Sequence, residues 1–145
     1  MIQIDNSVVI NRPVKDVFAY VANFENMTNW DSELIEVKKI SEGPTGVGTK
    51  FSGPTKILGR RIDSTLAVIA FEPNKKLSAN LVSGPIEATI KWNFEPTEGG
   101  TKVTWAAQAN IGGFFKVVEP IVKRIMQKQY DARYDTLKAL LEAQS

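Results

Sequence analysis

Up to about Asn110 the apolar residues mostly alternate with polar ones, and beyond it the rhythm changes. In Gly112–Ser145 they follow a helical period, with Val118, Val122, Ile125, Ala132, Thr136 and Leu140 on one face. Ile121, Met126, Leu137 and Leu141 widen that face into a broad stripe. The opposite side carries Arg124, Lys128, Asp131, Asp135, Lys138 and Glu142. Two polar residues, Gln129 and Arg133, fall inside the apolar sector, with Tyr130 and Tyr134 towards its edge. Pro120 predicts either a kink or the true start of this helix.

Upstream, Ile2–Ile10 reads as a first strand. Asn11 is a candidate helix cap and Pro13 suits a first helical turn, where a missing N–H does no harm. Val14, Val17, Phe18 and Val21 then give one apolar face, predicting a short helix over Pro13–Ala22. A second short turn is expected around Glu25–Asn29. Six strands follow: Leu34–Ile40, Thr49–Ile57, Arg60–Phe71, Lys76–Ser83, Ile86–Phe94 and Thr101–Asn110. Pro54 argues for an irregular or edge position within its strand. The clearest alternation puts Ile86, Ala88, Ile90, Trp92 and Phe94 on one face and Glu87, Thr89, Lys91 and Asn93 on the other. Turn residues separate the strands, among them Gly84–Pro85 and the hairpin loop Pro96–Gly100.

Sequential strands joined by short turns predict an antiparallel meander with one wet and one dry face. The fold class is therefore α+β: a seven-stranded antiparallel sheet, one or two short helices between strands 1 and 2, and a long C-terminal helix, all in a single domain spanning 1–145. A sheet of this size twists and curls. One helix, about 10–12 Å across, is too narrow to fill its concave side. The small residues Ala79, Ala88, Ala107 and Ala109 leave further room. A cavity between sheet and helix is the expectation.

Composition narrows the chemistry. The net charge is +2 and the basic pairs are scattered, which argues against a nucleic-acid partner. With neither cysteine nor histidine, disulfides, thiolate nucleophiles, His-ligated zinc and imidazole bases are all excluded. No cofactor or metal is expected. No apolar run approaches the roughly 20 residues of a membrane span. No signal peptide is read at the N-terminus, and a cytoplasmic location is expected.

Several local strings carry a family resemblance. They are Ile10–Asn11–Arg12–Pro13 with Val17–Phe18, then Asn29–Trp30–Asp31, then Glu42–Gly43–Pro44–Thr45–Gly46–Val47–Gly48–Thr49. Gly59–Arg60, Phe71–Glu72–Pro73 and Leu137–Lys138 complete the set. Over nearly its whole length the chain resembles the START/Bet v 1-like superfamily, and within it bacterial polyketide cyclase/dehydrase-like proteins. The resemblance implies a helix-grip fold, in which a curved sheet wraps the terminal helix around an elongated apolar pocket. It assigns no catalytic residue, because the superfamily serves many functions.

The expected pocket residues are Phe51, Ser64, Leu66, Leu81 and Ser83 from the central strands, and Ile90, Trp92 and Trp105 from the last two. Ile125, Gln129 and Arg133 join them from the helix. An unpaired charge on a buried face is costly, so Arg133 must reach water, an acid or a ligand oxygen. Asp31 and Glu33 have the chemistry of an acid–base pair but read as solvated loop residues, and Trp30 reads as packing. The glycines of Gly43–Lys50 fail as a phosphate loop, because Thr49 intervenes before the lysine and a strand follows. The expected function is binding of a small hydrophobic molecule, lipid-like, aromatic or polyketide-like, by a monomer or homodimer. Two alternatives stand beside it: a cyclase/dehydrase-type enzyme using a carboxylate, Tyr130 or Arg133 for proton transfer, and a protein-interaction module with a vestigial cavity.

Overall fold

The computed structural model describes residues 2–31, 34–57, 60–84, 86–110 and 117–144, with only the backbone at 57 and 60. Seven strands form one antiparallel sheet: β1 Ile2–Ile10, β2 Lys38–Lys39, β3 Lys50–Ile57, β4 Arg60–Glu72, β5 Lys76–Ser83, β6 Ile86–Thr97 and β7 Gly100–Asn110. Their order is β1-β7-β6-β5-β4-β3-β2. Helix α1, Val14–Ala22, and a 3₁₀ helix, Phe24–Asn29, connect β1 to β2. Helix α2, Glu119–Ala143, closes the chain.

The strand periodicity places the core. Leu77, Ala79 and Ser83 are buried while Lys76, Asn80 and Val82 are exposed, and β7 alternates in the same way from Thr101 to Ala109. Register lines the inward residues up in rows, such as Trp105–Trp92–Leu77 and Ala107–Ile90–Ala79. A register shift between Val68 and Ala70 lets the sheet bend.

Several elements differ from the expected bounds or caps, each for a local reason. The strand expected over Leu34–Ile40 shrinks to Lys38–Lys39 plus a single bridge from Leu34 to Thr55. There the chain crosses close over β3, and a side chain at Gly53 would put its Cβ 1.7 Å from the Glu36 carbonyl oxygen. Pro54 lies within β3, and its carbonyl accepts from Ile35 N. Strand β6 runs past Phe94 to Thr97 and absorbs Pro96, because β5 no longer flanks it beyond Asn93 and no partner there needs the missing N–H. Asn11 caps nothing: Pro13 holds the N-cap position of α1, and the Asn11 amide donates to Glu142 instead. Pro120 lies in the first turn of α2 and so marks its start.

Helix α2 runs along β1, one edge of the sheet, and satisfies two of its backbone carbonyls. Gln127 donates to the Asp5 carbonyl at 3.1 Å and Lys138 to that of Val9 at 2.6 Å. Arg12 returns a bond to the Leu141 carbonyl at 2.7 Å. The Lys138 ammonium and the Asn11 amide both donate to Glu142, holding its carboxyl below its ordinary value.

Candidate functional site

The buried face of α2 lies about a third of a turn from the expected stripe. Tyr134, Leu137 and Leu141 are fully buried, and Val122, Met126, Tyr130 and Leu140 are half-buried against the core. Ala132, Thr136 and Gln129 are exposed. Ile121 is 63% exposed and Ile125 52%. Tyr134, expected at the edge, is therefore central, whereas Ile125 and Gln129 lie on an outer flank.

Tyr134 organises an aromatic cluster across the middle of the concave face. Its ring stacks on Trp105, centroids 4.6 Å apart and 12° from parallel. Register sets Trp105 opposite Trp92, whose Nε1–H donates to the Tyr134 hydroxyl at 2.8 Å. Trp30, at the end of the 3₁₀ helix, lies 5.4 Å from Tyr134, and Phe24 fills the space between Phe51 and Trp92 at 5.1 and 5.6 Å. Burial pushes the Tyr134 phenol well above the usual tyrosine range. It is thus a neutral hydrogen-bonding group at ordinary pH. The Trp30 Nε1–H is buried without a hydrogen-bond acceptor among the described residues.

Beside the cluster, Arg133 pairs with Asp31 (Nε to Oδ1, 3.2 Å), their side chains 13% and 14% exposed. The guanidinium also lies over the Tyr130 ring, 4.3 Å from its centroid. Of the fates open to Arg133, pairing with an acid is the one found, and Asp31 is not the solvated loop residue expected. Its position follows from the 3₁₀ helix, whose Met27 carbonyl takes both the Trp30 and the Asp31 amide protons. Glu33 lies outside the described residues.

The cluster divides the concave face. On one side α1, the 3₁₀ helix and the C-terminal half of α2 pack large groups together, with Phe18 edge-on to Phe71 and Phe94 at 5.4 and 5.0 Å. On the other side the sheet presents Ala79, Ala88, Ala107 and Ala109, with Leu66, Leu81 and Ile90 between them. Beyond these lie Ser64 and Ser83, joined by a 2.7 Å hydrogen bond. Among the described residues, Val122 and Met126 of the first half of α2 are half-buried against the core. An open depression of about 660 Å³ occurs elsewhere, on the charged outer face of α2 between Pro120 and Asp135. It is not the enclosed apolar cavity expected.

The Gly43–Lys50 segment is a loop with left-handed glycines at 43 and 48 (φ 89° and 93°) that leads into β3, unlike a phosphate cradle, which opens a helix. No cluster of three or more potential metal ligands occurs among the described residues. Among them, too, no helix is long and apolar enough to cross a membrane.

The curved seven-stranded sheet gripping a C-terminal helix is the START/Bet v 1-like fold. Residues 1–142 match the family described as polyketide cyclase / dehydrase and lipid transport, and the chain belongs to it. Solved structures agree on the fold. A START superfamily protein from Mycobacterium smegmatis superposes with a TM-score of 0.82 at 14% identity, covering 100% of both chains. A protein of Thermus thermophilus gives 0.78 at 16% identity over 99% of each chain. The di-domain ARO/CYC BexL from the BE-7585A biosynthetic pathway gives 0.75 at 16% identity, covering 96% of this chain and 46% of its own. A comparison with curated protein sequences finds no match.

Proposed function

We propose that the protein binds a small hydrophobic molecule between the alanine-faced half of the sheet and the first half of α2. One observation carries this reading: the two halves of one concave surface differ in side-chain size. The half beyond the aromatic cluster presents four alanines where the other presents aromatic rings, and Val122, Met126 and Leu81 are half-buried against the core. A guest there gains about 25 cal/mol per Å² of apolar area removed from water, less the cost of its lost freedom. Membership of a family described by lipid transport and cyclisation supports an apolar guest. Trp30 and the serines supply the few polar groups that orient one.

Native mass spectrometry of protein purified from its own host tests the reading. The expected spectrum carries a discrete small-molecule adduct that disappears on denaturation. A bare mass, together with no uptake of anilinonaphthalene sulfonate in fluorescence titration, overturns it.

A cyclase-type reaction is the second reading, supported by the similarity to two di-domain ARO/CYC chains. Tyr134 bears on it directly. With its phenol held protonated by burial it supplies a hydrogen bond but neither a base nor a ready proton. Any base would then come from Asp31, and its ion pair with Arg133 lowers the reactivity of that carboxylate.

A further inference from the structure

The outer face of α2 carries two features that the fold leaves uncovered. Ile121 and Ile125, one turn apart, are each more than half exposed, and Val118 before them is exposed as well. Beside this ridge lies the open depression between Pro120 and Asp135, which Arg124, Lys128, Asp131 and Asp135 help to line. The charges are ordered by sign, both cations preceding both anions along the helix. Arg124, Lys128 and Asp135 make no ion pair and no side-chain hydrogen bond among the described residues. Asp131 accepts from Asn6 and Gln127 through Oδ1, which leaves its second oxygen for another donor.

A face with this order of charges is complementary to itself when reversed. About the point between Gln129 and Tyr130, Arg124 mirrors Asp135 and Lys128 mirrors Asp131. The four lie within about 60° of one another around the helix. A two-fold axis through that point sets α2 antiparallel to α2 of a second copy, and each mirror pair then occurs twice. Ala132 and Ala139 are exposed and keep the far half of the face low. Ile121 and Ile125 can then pack over that half of the second copy, with the helix axes about 8–10 Å apart. Exposed ion pairs contribute little each, so the isoleucines drive association and the charges select the antiparallel register. An anionic lipid surface fits this face less well, because Asp131 and Asp135 would repel it.

We propose that the outer face of α2 is the interface of an antiparallel homodimer. Ile121 and Ile125 supply its apolar contact, and reciprocal Arg124–Asp135 and Lys128–Asp131 pairs set its register. This interface is separate from the binding function proposed above and stands without it. From Val118 to Ala139 the face is about 30 Å long and about 10 Å wide. Its footprint is thus smaller than the roughly 800 Å² per partner of a standard interface. The dimer is therefore expected to be weak, with a dissociation constant of about 10–100 μM.

Sedimentation equilibrium of the full chain, over about 5 to 500 μM, tests the interface. Wild type is expected to show a monomer–dimer equilibrium that weakens about 3- to 10-fold as salt rises from about 0.05 to about 0.5 M. Arg124→Asp and Asp135→Arg should each weaken it at least about tenfold, since each sets like charges together twice. Mixed in equal amounts, the two variants should regain wild-type association as a heterodimer. One reciprocal pair is then restored with its signs exchanged and the other is as in wild type, a rescue that damage to the fold would not give. Wild type that stays monomeric at the highest concentration overturns the proposal. So do variants that associate as wild type does, or a mixture that shows no recovery. Monomeric wild type that cosediments with phosphatidylcholine vesicles containing phosphatidylserine would assign the face to a lipid surface, and the homodimer would fall.

Discussion

The two halves of the concave face are built from the same strands but with opposite economy of volume. On the side of α1, rows such as Trp105–Trp92–Leu77 meet Phe24, Tyr134 and Leu137, and every one of these is buried. Two residues further along the same strands, the rows read Ile4–Ala107–Ile90–Ala79 and Ile2–Ala109–Ala88–Leu81. The alternating period is unchanged, yet alanines and aliphatic residues stand where the rings stood. A packed core transmits any change in volume as strain or cavity cost. One half thus holds the packed aromatic rings, and the other carries the small side chains on which the proposed site rests.

The strongest way to break this contrast is to empty the packed half. Trp92→Ala should cost about 3–5 kcal/mol in urea denaturation, through the lost ring and the stranded Tyr134 hydroxyl. A cost below about 1 kcal/mol would mean that the aromatic cluster is not a packed core.

Tyr134→Phe sharpens the same point with a smaller change. It removes the acceptor of the Trp92 indole proton and should cost about 1–2 kcal/mol. The effect of pH has a definite sign. Burial raises the phenol pKa in the folded state above its unfolded value near 10, so the folded protein keeps a proton that the unfolded chain gives up in alkali. Stability from this group is complete below about pH 10 and falls as the pH rises beyond it. The fall in urea midpoint above about pH 10 should be shallower in Tyr134→Phe than in wild type. Parallel curves would show that Tyr134 is not buried as described.

Much of this was legible in the sequence, for identifiable reasons. Strand alternation fixed β1 and β5 to the residue, because a period of two admits few rival readings. The alanines that thin out one half of the core sit at inward positions readable from that period alone. The azimuth of α2 was not readable. Its apolar residues span well over half its circumference, and the side that faces inward was decided by the aromatics Trp30, Trp92 and Trp105, which receive Tyr134. Hydropathy counting ranks a tyrosine below Ile121 and Ile125, yet stacking and a hydrogen bond bring the tyrosine in and leave the isoleucines out. The Asp31–Arg133 pair was half-visible. Arg133 on an apolar face demanded a partner, but nothing local to Asp31 reveals that the 3₁₀ helix delivers it there.

The smallest expected change in stability is also the most direct comparison, made by adding the same volume to each half. Ala22 lies on the buried side of α1 in the packed half, and Ala88 lies on β6 in the alanine-faced half. Ala22→Leu should force its neighbours apart and cost about 1–3 kcal/mol. On the proposed reading Ala88→Leu should cost under about 1 kcal/mol, because the added atoms would take the volume of the guest. The same substitution should weaken anilinonaphthalene sulfonate binding at least about tenfold, since probe and leucine would compete for one volume. Equal costs at the two positions, measured by urea denaturation, would show that the two halves are equally filled. The binding assay then supplies the decisive half of the comparison: unchanged anilinonaphthalene sulfonate affinity in Ala88→Leu would place the guest away from the alanine rows, even if the stabilities differ as expected.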